Sequence, residues 1–381
     1  MWTAVTFTAI LLTVLYCLLI MLYNIWFVRL PYFRVDKNYF PKNTFSIVIP
    51  ARDEEDVIEK CVLSVLQNDY PAELFEVIVV DDFSTDNTAA IVQRMQQQFS
   101  NLKLLQLKDF VQQQQNSYKK KSIETAISFS SFEWIITTDA DCETRKKWLR
   151  RVDACIQVRS PVFLAAPVKF SNNGSFISIF QCLDFMSLQG ITAASVSAGF
   201  LSMCNGANLA YKKETFYAVN GFKGIDNIAS GDDMLLMHKI KKAFPGKAHY
   251  LFSKEAIVTT QPMHDIKSFI NQRIRWASKA TSYEDKKILP VLLLVYFVNV
   301  MLLILPVFGL LHQPLFFLWL ILLLSKTFFE ILFMLPVAAF FGEGNLLWWF
   351  PVMQPFHILY TVVSGWLGKF GSYEWKGRRV K

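Results

Sequence analysis

The sequence predicts an α/β fold, in which a domain with a mostly parallel, Rossmann-like sheet is flanked by N- and C-terminal transmembrane helices. In the first half of the middle region, apolar β-branched runs alternate with helix-like segments, as in repeated βαβ units. Long apolar stretches occupy both ends of the chain. Of its 381 residues 53% are hydrophobic, more than an ordinary soluble enzyme contains.

Four apolar runs fit buried strands of a parallel sheet, at residues 45–50, 75–80, 102–107 and 133–138. Helix-like segments separate them, at residues 53–68, 87–99 and 119–129. Continuous apolar strands of this kind require helices on both faces of the sheet. The glutamine-rich segment 111–117 is interpreted as a flexible loop.

An uncharged segment begins the chain. Residues 2–28 contain no charged side chain, and about 20 apolar residues are enough for a helix to cross a bilayer. A cleaved signal peptide is the alternative, but such peptides start with basic residues, and residues 1–4 contain none. We therefore expect an uncleaved transmembrane anchor at residues 1–28.

Three further apolar stretches lie at residues 288–311, 314–341 and 346–370, and the first two are typical of a membrane-spanning hairpin. Broken backbone at membrane depth must be satisfied by protein or water. The third stretch is interrupted by Pro351, Gln354, Pro355 and His357. The sequence thus predicts a membrane region of two to three segments at 288–370, followed by a basic tail at 371–381.

The middle region, residues 29–287, is expected to face the cytoplasm, because positive charge beside membrane segments marks that side. The flanking basic residues are Arg29, Arg34, Lys37, Lys42, Lys279, Lys286 and Lys287. The tail at 371–381 is also basic, which favours two C-terminal spans and one non-crossing segment over three full spans.

The cysteines and histidines do not predict a metal site. The six cysteines form no CxxC pair and the five histidines are scattered, which fits free thiols in a reducing compartment. The net charge of +8 is explained by lysines and arginines beside membrane segments, and no aromatic-interleaved basic stripe indicates nucleic acid. The bilayer surface is the expected partner of this charge.

Two pairs of acidic residues follow predicted strands. Asp81 and Asp82 follow the second run, and Asp139 and Asp141 follow the fourth. Because open α/β sheets bind ligands at the carboxyl ends of strands, the first pair is interpreted as contacts to a nucleotide base or ribose, with a structural turn as the alternative. The second pair predicts a divalent cation, with a solvated acidic turn as the alternative.

Two more signatures follow along the chain. Asp232 and Asp233 precede a predicted helix, and Asp232 is interpreted as its cap and Asp233 as a general base. Gln272, Arg275 and Trp276 come shortly before the membrane region. Snorkelling residues at a membrane interface have a similar composition, so their spacing leaves an interfacial and a catalytic role open.

In this order the signatures resemble the membrane-bound family 2 glycosyltransferases, which include cellulose synthase-like, poly-N-acetylglucosamine synthase-like and ceramide glucosyltransferase-like enzymes. The resemblance covers nearly everything from Ser46 to the C-terminal membrane region. Its landmarks are residues 48–55, Asp81 and Asp82, Lys119 and Lys120, Asp139 and Asp141, residues 204–208, Gly221 and Phe222, Asp232 and Asp233, and Gln272, Arg275 and Trp276.

The resemblance implies a GT-A nucleotide-diphospho-sugar transferase fold and an inverting reaction that depends on Mg²⁺ or Mn²⁺. The implied donor-binding residues are Ala51, Glu54 and Asp82 around a uridine-type base, beside Asp81, with Lys119 and Asp139 nearer the sugar. The implied metal ligands are Asp139 and Asp141. The implied catalytic group is Asp233 as base, Asp232 beside it, and Gln272, Arg275 and Trp276 as acceptor and diphosphate platform. Many relatives have Glu-Asp where this chain has Asp232 and Asp233, so the resemblance leaves open which of the two carboxylates acts as the base.

Two other classes are weighed against this interpretation. A sugar nucleotidyltransferase needs a glycine-rich phosphate loop, and residues 51–55 contain no glycine. A catalytically inactive nucleotide-sugar-binding membrane scaffold would keep the fold, yet the expected acids are present. The few predicted spans favour a lipid or lipid-linked glycan acceptor over a processive polysaccharide synthase. We expect an integral enzyme of a bacterial inner membrane, with a UDP-sugar donor.

Overall fold

A computed structural model describes residues 2–111, 117–199, 203–226, 228, 230–278, 288–370, 373–375 and 378–380. Two compact units make up the chain. The sheet unit comprises Pro31–Ser171 and Leu201–Gln261, and the membrane-helix unit comprises Met1–Leu30, Asn172–Phe200 and Pro262–Lys381. Most of the expected glutamine-rich loop, residues 112–116, lies outside the described part.

The sheet unit is built on seven strands. They are β1 (Phe45–Ala51), β2 (Phe75–Asp81), β3 (Leu102–Gln106), β4 (Trp134–Thr137), β5 (Phe163–Ala165), β7 (Leu209–Lys212) and β8 (Ala248–Tyr250). The strand order is β3-β2-β1-β4-β7-β5-β8. The first four are parallel, β7 is antiparallel to both of its neighbours, and β5 pairs parallel with β8. A separate parallel pair consists of β6 (Val168–Phe170) and β9 (Val258–Thr260).

The four predicted strands are confirmed, and so is the mostly parallel sheet. Every residue of β2 and of β4 is buried. Helices on both faces account for this pattern, since a strand covered on both sides carries apolar residues at consecutive positions. The helices of this unit are α2 (Ile58–Leu66), α3 (Thr88–Gln96), α4 (Tyr118–Phe129), α5 (Trp148–Arg159), α7 (Lys213–Ala218) and α8 (Met234–Ala243).

The second helix begins later than the predicted residue 53. Asp53 has a φ of 49°, in the left-handed region, and a right-handed helix does not pass through such a residue. Hydrogen bonds to the loop after β2 hold this segment outside the helix, as described below. The prediction of a helix start at residue 53 is therefore wrong by about one turn.

The membrane-helix unit contains α1 (Trp2–Arg29), α6 (Phe176–Ser197), α9 (Ile266–Ser278), α10 (Ile288–Gly309), α11 (Gln313–Phe341) and α12 (Phe350–Phe370). Within the described residues five segments are long and apolar enough to cross a membrane: Trp2–Arg29, Phe176–Ser197, Ile288–Gly309, Gln313–Phe341 and Gly344–Lys369. The expected apolar helices at both ends are thus confirmed. The domain boundaries at 28, 287 and 370 and the number of true spans remain predictions.

Helix α6 groups with the terminal helices although it lies inside residues 29–287 of the chain. Its apolar side chains are mostly buried, and the buried positions include Gln181 and Asp184. The four residues that interrupt the third C-terminal stretch in the sequence, Pro351, Gln354, Pro355 and His357, all lie within the continuous helix α12, so the helix is not broken there. A 3₁₀ segment, Gly344–Trp349, precedes α12. The tail contributes a short antiparallel pair, β10 (Tyr373–Trp375) and β11 (Arg378–Val380).

A closed polar network lies among α1, α11 and α12. Lys326 is fully buried, and its Nζ donates to Glu330 Oε1 at 2.7 Å and to Gln354 Oε1 at 2.8 Å. Gln354 Nε2 donates to Glu330 Oε2 at 2.6 Å, and the hydroxyl of Tyr16 donates to Glu330 Oε1. Both charges are therefore paired and hydrogen-bonded, which buried ions require.

Replacing Lys326 with Met leaves the Glu330 carboxylate buried without its cation. Removing one partner of a buried pair costs about 3–5 kcal/mol, so we expect a lower melting temperature in lipid nanodiscs. The matched control is the double variant Lys326→Met with Glu330→Gln, which removes both charges and should recover most of the loss. A single variant as stable as the unmodified chain would contradict a structural role for this pair.

Candidate active site

The carboxyl ends of β1 and β2 form the first part of the site. Ala51 and Asp81 are register partners, and the amide of Asp82 donates to the carbonyl oxygen of Ala51 at 2.8 Å. Both aspartates are buried. Among the described residues, Oδ1 of Asp81 has no hydrogen-bond partner. An unsatisfied buried oxygen is costly, so a ligand that donates a hydrogen bond here would be stabilised.

The loops after β1 and β2 are joined by reciprocal hydrogen bonds. Asp53 Oδ1 accepts from the amide of Thr85 at 2.7 Å, and the amide of Glu54 donates to Thr88 Oγ1 at 2.8 Å. Glu55 Oε2 accepts in the same way from the second loop at 2.9 Å. These bonds make the two loops one ordered rim, on which the half-buried Glu54 lies close to the strand ends.

Backbone strain marks the same rim. Phe83 has a φ of 53°, which is unusual for a bulky side chain, and its ring packs edge-on against Tyr118 with 6.1 Å between centroids. Arg52 Nη1 holds the strained peptide by donating to the carbonyl oxygens of Asp82 at 2.8 Å and Phe83 at 3.2 Å. Such strain costs on the order of 1–3 kcal/mol per residue and is concentrated at functional sites.

A cation lies between two carboxylates next to this rim. Lys119 Nζ lies 2.5 Å from Asp139 Oδ1 and 3.2 Å from Asp232 Oδ2. Burial acts to lower the pKa of Lys119, but the negative charges of Asp139 and Asp232 outweigh it and hold that pKa above its ordinary value. The ammonium is therefore charged at neutral pH, and it links Asp139, two residues after β4, to Asp232 in the segment before α8.

The next lysine holds the segment that precedes the acid pair. Lysines occupy positions 119–121 in the first turn of α4, where the helix dipole disfavours cations and where the turn itself contains no acidic residue. Lys120 is buried, and its Nζ donates to the carbonyl oxygens of Ile225, Ile228 and Ser230 at 2.5, 2.7 and 2.9 Å. The sequence predicted no role of its own for Lys120, although the lysines at the helix start were the available signal.

The acid pair itself differs from the expectation in one respect. The cap of α8 is Asp233, whose Oδ1 accepts from the amide of Met234 at 2.7 Å, so the prediction that Asp232 is the cap is wrong. Asp232 is turned to Lys119 instead. A methyl group on Gly206 would lie 2.9 Å from Asp232 Oδ2, which makes glycine necessary for this close approach.

Asp139 and Asp141, just after β4, could supply some of the ligands of a divalent cation. The side chain of Asp139 is 36% exposed, and Asp141 Oδ2 accepts from Thr260 Oγ1 at 2.9 Å. No group of three or more histidine, cysteine, aspartate or glutamate side chains suitable for a metal occurs within the described residues. Burial, then the charge of Asp141, raises the pKa of the Cys142 thiol, which keeps it protonated. Mg²⁺ typically uses one or two carboxylates with substrate phosphates, so Asp139 and Asp141 fit that arrangement.

The remaining predicted residues lie on α9, in the membrane-helix unit. Gln272, Arg275 and Trp276 are half-buried there. The Trp276 ring lies 5.8 Å from the ring of Phe185 on α6. Arg273, which the sequence analysis did not single out, is buried between these positions. The available signal for a buried, paired arginine was its position among the apolar residues of α9.

Two family profiles match the chain. The profile described as Glycosyl transferase family 2 matches residues 46–191, and that described as Glycosyl transferase family group 2 matches residues 134–366, more than half of the chain. The chain belongs to the family 2 glycosyltransferases. The resemblance on which the sequence analysis relied is thus confirmed.

Curated relatives and a solved structure agree with this membership. Glycosyltransferase AglE of Haloferax volcanii is 27% identical over 214 residues, which span 56% of this chain and 65% of AglE. Beta-monoglucosyldiacylglycerol synthase of Synechocystis is 31% identical over 134 residues, 35% of this chain and 27% of the synthase. The chain thus matches less than two thirds of either relative.

A solved structure has a similar fold. Mannosyltransferase PcManGT from Pyrobaculum calidifontis, solved with GDP-Man and Mn²⁺, superposes with a TM-score of 0.57 at 19% identity. The match covers 96% of this chain and 97% of PcManGT, and it shows the GT-A fold.

Replacing Lys120 with Met should loosen the segment before the acid pair. Three carbonyl oxygens lose their shared donor, and each unsatisfied buried group costs about 1–3 kcal/mol. We expect faster amide hydrogen exchange in peptides that cover Ser230 to Asp233, measured by mass spectrometry on the full chain. The control is Lys121→Met, because Lys121 forms a partly exposed pair with Glu124 at 3.5 Å. Equal exchange in the two variants would contradict this role of Lys120.

Proposed function

We propose that the chain is an inverting, metal-dependent glycosyltransferase of a membrane, which moves a sugar from a nucleotide-diphosphate sugar to a lipid or lipid-linked glycan. The observation that supports this most is the Lys119 cation between Asp139 and Asp232 at the carboxyl end of the sheet. This ion pair places a positive charge suited to a diphosphate, and carboxylates suited to a metal or to proton transfer, at one edge of the sheet. Its position beside the rim of Ala51 and Asp82 supports a donor that spans both places.

The nucleoside is proposed to bind at the ends of β1 and β2. Ala51 and Asp82 would line the pocket, with Glu54 on its rim. Asp81 offers a buried acceptor oxygen. Uracil and guanine each present a ring N–H that such an oxygen accepts. The site therefore suits UDP- and GDP-sugars, and UDP-sugars are the proposed first choice because the family resemblance implies a uridine-type pocket.

Mg²⁺ or Mn²⁺ is the proposed cofactor, and Asp139 and Asp141 would hold it together with donor phosphates. When bound, such an ion neutralises charge on a departing diphosphate. Lys119 is also positively charged and already contacts Asp139. We infer that Lys119 keeps the carboxylates ordered and adds positive charge on the donor side.

The proposed reaction is a single displacement. The acceptor hydroxyl oxygen forms a bond to the anomeric carbon while the bond from that carbon to the diphosphate oxygen breaks. Asp233 takes the hydroxyl proton, while its Oδ1 accepts from the Met234 amide and so holds the carboxylate at the start of α8. Lys119 stabilises negative charge on the leaving group, and the family resemblance implies the same role for Arg275. Gln272 and Trp276 are proposed to form the platform on which the reacting groups lie.

A lipid or lipid-linked acceptor is supported by the five candidate spans of the chain. One relative described above is named for a glucosylated diacylglycerol, which is a glycolipid. An acceptor carried by the bilayer would reach a membrane-anchored enzyme by lateral diffusion.

The test uses purified full-length protein in nanodiscs that contain total membrane lipids. A panel of UDP- and GDP-sugars is supplied with Mg²⁺, Mn²⁺ or EDTA, and both nucleotide diphosphate release and lipid masses are measured. We expect metal-dependent release from one donor and a lipid heavier by one sugar. Long sugar chains would favour a polysaccharide synthase, and nucleotide binding without any release would favour the inactive scaffold.

Replacing Asp233 with Asn removes the proposed base while keeping the size and the cap acceptor. General-base groups contribute roughly 10²–10⁴-fold, so turnover should fall by that factor, while nucleotide diphosphate affinity in calorimetry stays unchanged. The control is Asp109→Asn, because Asp109 is an exposed acid of the same unit. Turnover retained in the Asp233 variant would show that another group accepts the proton.

A further inference from the structure

A buried guanidinium stands in the middle of the proposed platform on α9. Arg273 is 4% exposed, although it carries a full charge. Its Nε donates to Asp184 Oδ2 at 3.0 Å, and its Nη2 lies 2.7 Å from the same oxygen. Asp184 is likewise buried, on α6. Two buried ions of opposite sign must stay together, since separating them leaves an uncompensated charge.

The other end of the guanidinium contacts two proposed platform residues. Nη1 of Arg273 donates to Gln272 Oε1 at 2.7 Å, and the guanidinium carbon lies 4.2 Å from the centre of the Trp276 ring. It also lies 4.6 Å from the centre of the Phe269 ring. Arg273 is therefore clamped between two aromatic rings while its donors are shared between Asp184 and Gln272.

This clamp determines which way the Gln272 amide points. Because Oε1 of Gln272 accepts from Arg273, the amide nitrogen is the end directed elsewhere, and it carries two donors. A hydroxyl or phosphate oxygen is the matching ligand. Only a planar fork spreads donors over a carboxylate, an amide and an aromatic face at once, which a lysine ammonium does not do.

Asp184 connects the clamp to two further helices. The hydroxyl of Tyr360, on α12, donates to Asp184 Oδ1, and His357 Nε2 lies 3.8 Å from that oxygen. One turn earlier on α6, Gln181 exchanges hydrogen bonds with the backbone of Met263 at 2.8 and 2.9 Å, just before α9. The position of α9 is thus determined by apolar helices of the same unit.

We propose that Arg273 is a positioning residue of the transferase: it orients the Gln272 amide as a donor and fixes the ring of Trp276, and Asp184 anchors it to α6 and α12. This role rests on the proposed function, in which Gln272 and Trp276 meet the reacting groups. Arg273 itself acts through them. The structure thereby couples the packing of candidate membrane spans to the alignment of the platform.

The test is a double-mutant cycle in nanodiscs with the donor that gives the highest diphosphate release. Arg273→Lys keeps the charge for Asp184 and loses the fork. We expect kcat to fall on the order of 10- to 100-fold with the donor KM within about twofold, the size of loss that small misplacements cause. In a Gln272→Ala background the same exchange should lower kcat by a smaller factor, because one of the two side chains that Arg273 positions is gone.

Controls separate positioning from folding and from the parent proposal. Lys267→Met, an exposed change on the same helix, should match the unmodified chain in turnover and melting temperature. Tyr360→Phe removes the hydroxyl that donates to Asp184 and should also lower kcat. This variant serves as the test of the anchor if Arg273→Lys fails to fold. Equal losses in both backgrounds, or turnover unchanged in Arg273→Lys and Tyr360→Phe, would overturn the positioning role alone. An unmodified chain without diphosphate release would overturn the proposed function and this role together.

Discussion

The ammonium of Lys119 between Asp139 and Asp232 is the interaction on which the sheet unit depends. It joins the end of β4, the start of α4 and the segment before α8, which are far apart in sequence. Without the cation, two carboxylates would face each other at a partly buried strand edge, where like charges repel strongly. Gly206 allows the close approach that this pairing needs. We call these ion pairs the junction. They hold three chain segments together, and the proposed chemistry uses the same charged side chains.

The membrane-helix unit also contains cations that are paired with carboxylates, and there both partners are buried. Lys326 with Glu330 and Arg273 with Asp184 are buried pairs, and in each pair the cation also donates to a glutamine side chain. Such pairs add little net stability compared with apolar packing, but separating one leaves an uncompensated buried charge. We therefore expect these pairs to favour one arrangement of their helices, and the Arg273 pair contacts Gln272 and Trp276 of the proposed platform.

Apolar patterning predicted the first four strands and the long terminal helices because burial on both faces leaves a direct trace in the sequence. It missed the late start of α2, since the left-handed conformation of Asp53 depends on hydrogen bonds to another loop. It also shifted the α8 cap by one residue. The roles of Lys120 and Arg273 were beyond its reach, because a side chain's polar partner is set by tertiary folding; Arg273 and Asp184 are 89 residues apart.

The central claim is that Asp233 assists one direct displacement at the junction organised by Lys119. Proton NMR of the first glycosylated product tests it most directly, because the coupling of the anomeric proton reports configuration. With an α-linked donor such as UDP-glucose, a single displacement predicts a β-linked product. An α-linked product would contradict the claim, since retention requires a second nucleophilic step or a different geometry of attack.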